Sequence, residues 1–209
     1  MQEAHIYAEA SKTARLAELG LGEETLRQAV TDGELARASC TRNDPRVYPG
    51  QTAWARTTRG LREALVPRGW EPSEEANLPT IVSPDKTMAI TVSSGDDGTG
   101  CLTRSPQTRN PKGTATLRAI FENHRQLRFG FIEDDEGKLP RLTWVLLVAR
   151  VKGEVRCELS LPAAVGDGGR VTAWSERIIL DPVALGVEAP VSAPENEPTV
   201  EIQVVRKAR

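Results

Sequence analysis

The run Leu142-Thr143-Trp144-Val145-Leu146-Leu147-Val148-Ala149 constrains the fold more than any other stretch. A segment this short and this apolar reads as a strand covered on both faces. Lys152-Gly153 supplies a turn, after which Val155, Cys157, Leu159 and Leu161 alternate with Arg156, Glu158 and Ser160. That is the period of a half-buried strand. Gly166-Asp167-Gly168-Gly169 makes a second turn before the stretch from Val171 to Leu180. Val200, Ile202 and Val204 alternate again after a connection containing Pro190, Pro194 and Pro198. The pattern predicts an antiparallel meander over 142–205. Upstream, Thr80–Ser83 and Met88–Val92 flank Pro84-Asp85-Lys86-Thr87, a good hairpin turn. This 80–92 hairpin is expected to share a sheet with the meander.

The first third reads as helical. Ile6, Ala10, Ala14 and Ala17 recur at helical spacing, widened by Leu16 and Leu19. Glu23 and Glu24 open a second helix, where acidic residues suit the positive end of the dipole. Its stripe is Leu26, Ala29 and Val30, and it is expected to end at Asp32-Gly33. Asn43–Gly50 has loop composition, and a third helix follows from about Thr52 to Leu65 with Trp54, Thr58, Leu61 and Leu65 inward. A fourth is expected from Thr116 to about Leu127, with Leu117, Ile120, Phe121 and His124 on one face, before a charged loop Glu133–Lys138. The fold class is therefore α+β, a helical N-terminal third packed on a mainly antiparallel β-sheet. The chain reads as one domain over 1–209, with a helical subregion 1–66 and a β-rich subregion 70–209. Trp54, Trp70, Trp144 and Trp174 read as packing residues.

Charge excludes one broad class. With 27 basic and 29 acidic residues the net charge is −2, so nucleic-acid binding would need a local patch. Cys40, Cys101 and Cys157 are too scattered for a zinc site or a disulfide framework, which implies a reducing compartment. With His5 and His124 the only histidines, no metal and no cofactor are expected. No segment approaches the apolar length of a membrane span, so a cytoplasmic location without membrane contact is the expectation.

Such a patch follows the hairpin. Ser94-Gly95-Asp96-Asp97-Gly98-Thr99-Gly100 is an acidic glycine loop, which matches neither a P-loop nor a dinucleotide turn nor an EF-hand. Asp85, Asp96 and Asp97 could be forced into a metal-dependent nuclease pattern, but the Glu-x-Lys or Asp-x-Lys of such a site is missing from the adjacent strand. From Cys101 to Gly130, Arg104, Arg109, Lys112, Arg118, Arg125 and Arg128 face the single acid Glu122, a local charge of +5. Within that segment, Arg104–Gly113 forms an extended strap without apolar residues. It could track phosphates with help from Gln107 and Asn110, dock on an acidic partner, or fold back on Asp96 and Asp97. Arg56, Arg59 and Arg62 step around one side of the third helix and either meet phosphate or are simply solvated. Ser93 and Ser94 lack a nucleophile-elbow context, and no catalytic residue is assigned. Asp96, Asp97, Arg104, Arg109, Asn110, Lys112, Arg56 and Arg59 are the candidate binding residues.

Three blocks carry a family likeness. They are Gly69-Trp70 with Asn77–Asp85 and Ala89–Gly100, then Pro106–Gly113, then Gly169–Ile178. Over roughly half the chain these resemble uncharacterised accessory proteins carried on bacterial plasmids and integrative conjugative elements. The resemblance implies a context, a mobile genetic element, and no site residues. The expected function is a non-enzymatic binding protein with a host or element-encoded protein partner, such as an inhibitor of a host nucleic-acid-targeting defence system. Direct DNA or RNA binding through the basic 104–128 segment is the alternative, and a metal-dependent nuclease the third.

Overall fold

The computed structural model describes residues 4–129 and 141–184. Strand β1 (His5–Tyr7) leads into helices α1 (Ala10–Glu18), α2 (Glu23–Ala38) and α3 (Tyr48–Leu65). Strands β2 (Glu71–Ser73), β3 (Thr80–Val82) and β4 (Met88–Ser94) come next. Helix α4 (Thr114–Phe129) precedes β5 (Leu142–Val151), β6 (Glu154–Val165), β7 (Val171–Ile179) and β8 (Val183–Ala184). The class is α+β, as read from the sequence.

All eight strands form one sheet in the order β1-β7-β6-β5-β4-β3-β2, with β8 also on β6. It is mixed. The hairpin β3–β4 and the meander β5–β6–β7 are antiparallel, but β4 and β5 run parallel, from Met88↔Leu142 to Ser94↔Val148. Joining parallel neighbours requires a crossover, and the 95–141 connection with α4 provides it. Helix α4 packs on the face opposite α2 and α3. Trp144 and Leu146 of β5 join Leu26, Val30, Leu61 and Leu65 in the larger core, while Val145 and Leu147 meet Ile120, Val171 and Trp174. Coverage on both faces is what the apolar run demands.

Several elements differ from the sequence reading. Ile6 lies in a strand, because His5–Tyr7 pairs in parallel with Glu176–Ile178. Helix α2 does not stop at Gly33 but continues to Ala38. Gly33 marks the crossing with α3, where a Cβ would sit 2.1 Å from Thr57 Oγ1 and 2.7 Å from the Ala53 carbonyl. Helix α3 starts at Tyr48, with Pro49 in its first turn, where the missing N–H costs nothing. Its buried stripe is Ala53, Thr57, Leu61 and Leu65, and Trp54 is 40% exposed instead of packed in the core. In α4 the inward residues are Ile120, Asn123 and Gln126, whereas Phe121 is 65% exposed. Asn123 is buried because its amide completes the start of β5, donating to the Thr143 carbonyl and accepting from the Thr143 N–H. The charged loop 133–138 and the alternation at 200–204 lie outside the described residues.

Candidate ligand cleft

Strand β4 delivers the acidic glycine loop onto the α4 face, and the loop is packed rather than open. A Cβ on Gly95 would lie 2.1 Å from Thr99 Oγ1, and one on Gly98 would lie 3.0 Å from the Ser105 carbonyl. Gly100 has φ +69° with Arg156 against it, a conformation that glycine adopts without strain. The carboxylates are occupied locally. Asp96 Oδ1 accepts from the N–H groups of Gly98 (3.0 Å) and Gln107 (3.1 Å). Asp97 takes both Nη atoms of Arg104, at 2.8 and 2.9 Å. That guanidinium holds the Asp97 carboxyl below its ordinary range. The strap has therefore folded back on the acidic loop, one of the arrangements its composition allowed.

Beneath the loop lies a buried ion pair. Arg177 is 2% exposed and Glu158 fully buried. Glu158 Oε1 accepts from Arg177 Nε (3.0 Å) and Ser160 Oγ (2.7 Å), and its Oε2 accepts from Arg177 Nη2 and the Gly100 N–H (2.7 Å). Arg177 also donates to the carbonyls of Arg104 and Cys101, both at 3.0 Å. Both charges are thus paired and hydrogen-bonded, as burial requires. Trp174 Nε1 to the Pro106 carbonyl (2.8 Å) and Lys112 N–H to the Gly169 carbonyl (2.7 Å) fasten the strap further along. Sequence reading could not find this clamp, because Glu158 fell on the polar side of an expected half-buried strand and only the pairing of β6 with β7 brings Arg177 beside it.

With the strap fixed, its basic residues divide. Arg104 is spent on Asp97. Lys112 turns inward, its Nζ donating to Ser93 Oγ, and burial pushes the ammonium below the usual lysine range. Asn110 is exposed, and its carbonyl accepts from Thr108 Oγ1. Arg109 borders a cavity of about 250 Å³. On the third helix, Arg56 is exposed, Arg59 pairs with Glu63 at 2.8 Å, and Arg62 is held by Glu74 and the carbonyls of Ser73 and Thr80. Asp85 caps the β3–β4 turn through Ser83 and Thr87, at the opposite end of β4 from Asp96 and Asp97. Those three carboxylates do not converge, and no group of three metal-ligating side chains is brought together among the described residues.

The cavity beside Arg109 was missed. It opens where β4 and β5 end, between α2 and α3, and is bounded by Val92–Gly95, Val148–Arg150, Gly50, Ala53, Trp54 and Thr57. Crevices outside the carboxyl ends of parallel strands are common ligand sites in open sheets. The tight α2–α3 crossing at Gly33 sets Glu34 at its floor. Glu34 is 8% exposed, and its Oε2 has no hydrogen-bond partner. Arg37 Nε stands 3.4 Å from Glu34 Oε1, and Arg150 Nη1 stands 3.7 Å from Oε2. With Arg109 also on the wall, three arginines and one carboxylate line the cavity. The first turn of α3, which carries no acidic residue, adds its positive dipole end near Gly50. Helical glycines at 33 and 60 were the available signal for the close crossing. Arg150 gave none, because only the parallel register brings it beside α2.

A second cavity of about 190 Å³ is also lined by Trp54. Strand β3 pairs with β4 only at Ile90 and Ala89, which leaves the outer edge of Val92–Ser94 without a strand. Trp54 Nε1 caps that edge by donating to the Val92 carbonyl at 3.1 Å, and the Arg109 N–H caps the Ser94 carbonyl at 2.8 Å. Lys112, Thr116, Val171 and Leu78 line this second cavity. Comparison with known proteins found no matching family model, no similar curated protein and no similar solved structure, so the cleft is interpreted from its own geometry.

Proposed function

We propose that the chain is a non-enzymatic binding protein that captures an anionic group in the cleft between α2, α3 and the ends of β4 and β5. The supporting observation is that three arginines, Arg37, Arg109 and Arg150, line the cleft with Glu34 as its single carboxylate, two of them paired with it. Planar guanidinium groups suit phosphate and carboxylate oxygens, and they remain charged at all accessible pH. Glu34 holds two of them in place while leaving a net positive site. Inorganic pyrophosphate is the simplest probe. It is expected to raise the melting temperature at low ionic strength, with the effect shrinking as salt is added. Arg109→Gln and Arg150→Gln are each expected to remove most of that shift, whereas Arg56→Gln leaves it intact. No shift at any pyrophosphate concentration, or an equal loss with Arg56→Gln, refutes the proposal.

A second reading is favoured by the apolar residues beside the cleft. Leu35, Val47 and Tyr48 are 66%, 65% and 46% exposed, next in sequence to the α2 and α3 residues that line it. Exposed apolar groups beside a charged site suit a protein partner. The likeness to accessory proteins of mobile elements points to a host or element protein, such as a defence component. Leu35→Glu with Val47→Glu is expected to abolish recovery of that partner from a host lysate. Unchanged recovery removes this surface from consideration.

A further inference from the structure

We infer that the two cavities are halves of one site for single-stranded nucleic acid, with a base resting on Trp54 and its flanking phosphates on either side. The inference rests on the anion-binding reading of the first cavity and extends it.

Trp54 lines both cavities, as do Val92 and Ser93. The residue is 40% exposed, and its indole is held by the Nε1 hydrogen bond to the Val92 carbonyl. A pinned, solvent-facing ring is a stacking surface, and stacking accepts any base. Cations border both cavities that Trp54 lines, Arg37, Arg109 and Arg150 in one and Lys112 in the other. Among the described residues Lys112 Nζ has one acceptor, Ser93 Oγ, and burial pushes the ammonium below the usual lysine range. No carboxylate among the described residues pairs with this half-buried ammonium, which has donors to spare for an anion. The order cation, flat ring, cation matches the phosphate, base, phosphate order of a nucleic-acid strand.

Two further features narrow the class. Glu34 Oε2 is buried and accepts no hydrogen bond among the described residues, with Arg150 Nη1 at 3.7 Å, and it complements a sugar hydroxyl or an exocyclic amine. A bare polyanion offers neither. The cavities, about 250 and 190 Å³, have room for a phosphate with its sugar but not for a stacked duplex.

The test uses the full chain and a fluorescein-labelled oligothymidylate of about twelve nucleotides, followed by anisotropy. Single-stranded binding is expected, with affinity falling about sevenfold from 50 to 200 mM salt if two phosphates are neutralised. Trp54→Ala is expected to weaken it by roughly ten- to a hundredfold, from the loss of one stacked base. Trp54→Phe keeps the plane and retains most of the affinity, provided circular dichroism shows the fold intact. Lys112→Gln weakens binding and lowers the salt slope, and Arg56→Gln changes neither. Pyrophosphate binding without strand binding overturns the strand assignment and leaves the anion cleft standing. Absence of both overturns the two readings together. Equal affinity for a thymidine bisphosphate and the strand overturns the strand in favour of a free nucleotide. A duplex that binds as tightly as the single strand also overturns it.

Discussion

Replacing Glu158 by methionine tests the clamp on which the position of the strap depends. The change keeps the volume but removes the acceptor of four hydrogen bonds, leaving Arg177 charged at 2% exposure. Breaking one side of a buried ion pair costs about 3–5 kcal/mol. A domain of this kind has roughly 5–15 kcal/mol in total. With a urea m-value of about 2 kcal/mol per molar, the midpoint should fall by about 2 M. Arg177→Met should cost a similar amount, since it strands the carboxylate and frees the Arg104 and Cys101 carbonyls. The double variant is the informative one. Removing both charges together should cost about 1–2 kcal/mol, less than either single change, because no unpaired charge remains. Urea unfolding of the four proteins measures this. Single variants within about 1 kcal/mol of the parent, or a double variant as costly as the two added, refute the clamp.

The remaining predictions concern the cleft walls and the strap. Gly33→Ala improves intrinsic helix propensity by about 1 kcal/mol, yet it places a Cβ 2.1 Å from Thr57 Oγ1. Net destabilisation of about 1–3 kcal/mol is expected, partly relieved by Thr57→Ala, whereas stabilisation on chemical denaturation contradicts the crossing. Lys112→Met should stabilise the protein at neutral pH, because the folded state disfavours the ammonium. The folded pKa is below the ordinary lysine value, so the parent gains stability as pH rises from the folded to the unfolded value, and the advantage of methionine fades across that window. A difference between the two proteins that does not vary with pH shows that Lys112 is not desolvated. Asp181 is held below the ordinary carboxyl range by its hydrogen bond from Lys12, so its contribution is complete above the unfolded pKa and is lost as pH falls through the folded one. Asp181→Asn should flatten the acid limb of the stability profile measured by urea midpoint.

The parts of the fold legible in the sequence are those set by local pattern. The apolar run 142–149, the Pro84–Thr87 turn and the alternation from Val155 to Leu161 each dictate their strand through burial and turn chemistry. What escaped depends on distant partners. His5–Tyr7 becomes a strand only because β7 pairs with it. The inward stripe of α3 is shifted by one residue from the expected Trp54 and Thr58 to Ala53 and Thr57, because small residues face the crossing with α2. The loop glycines suggested a ligand, but they answer to Thr99, Ser105 and Arg156 packed against them. Of the candidate binding residues, Arg109 and Lys112 border the two cavities, while Arg104 and Asp97 neutralise each other. Glu34 and Arg37 are neighbours three apart on α2, an ordinary surface spacing, and only tertiary structure brings Arg150 and Arg109 to the same cleft.

Nitrogen–proton correlation spectra recorded during a pyrophosphate titration test the anion cleft most directly, because arginine Nε resonances report each guanidinium separately. Saturable shifts confined to Arg37, Arg109 and Arg150 and to the backbone amides of Val92–Gly95 are the predicted result. Shifts centred instead on Arg56, Arg59, Arg118 or Arg125, or no saturable shift at low ionic strength, would contradict it.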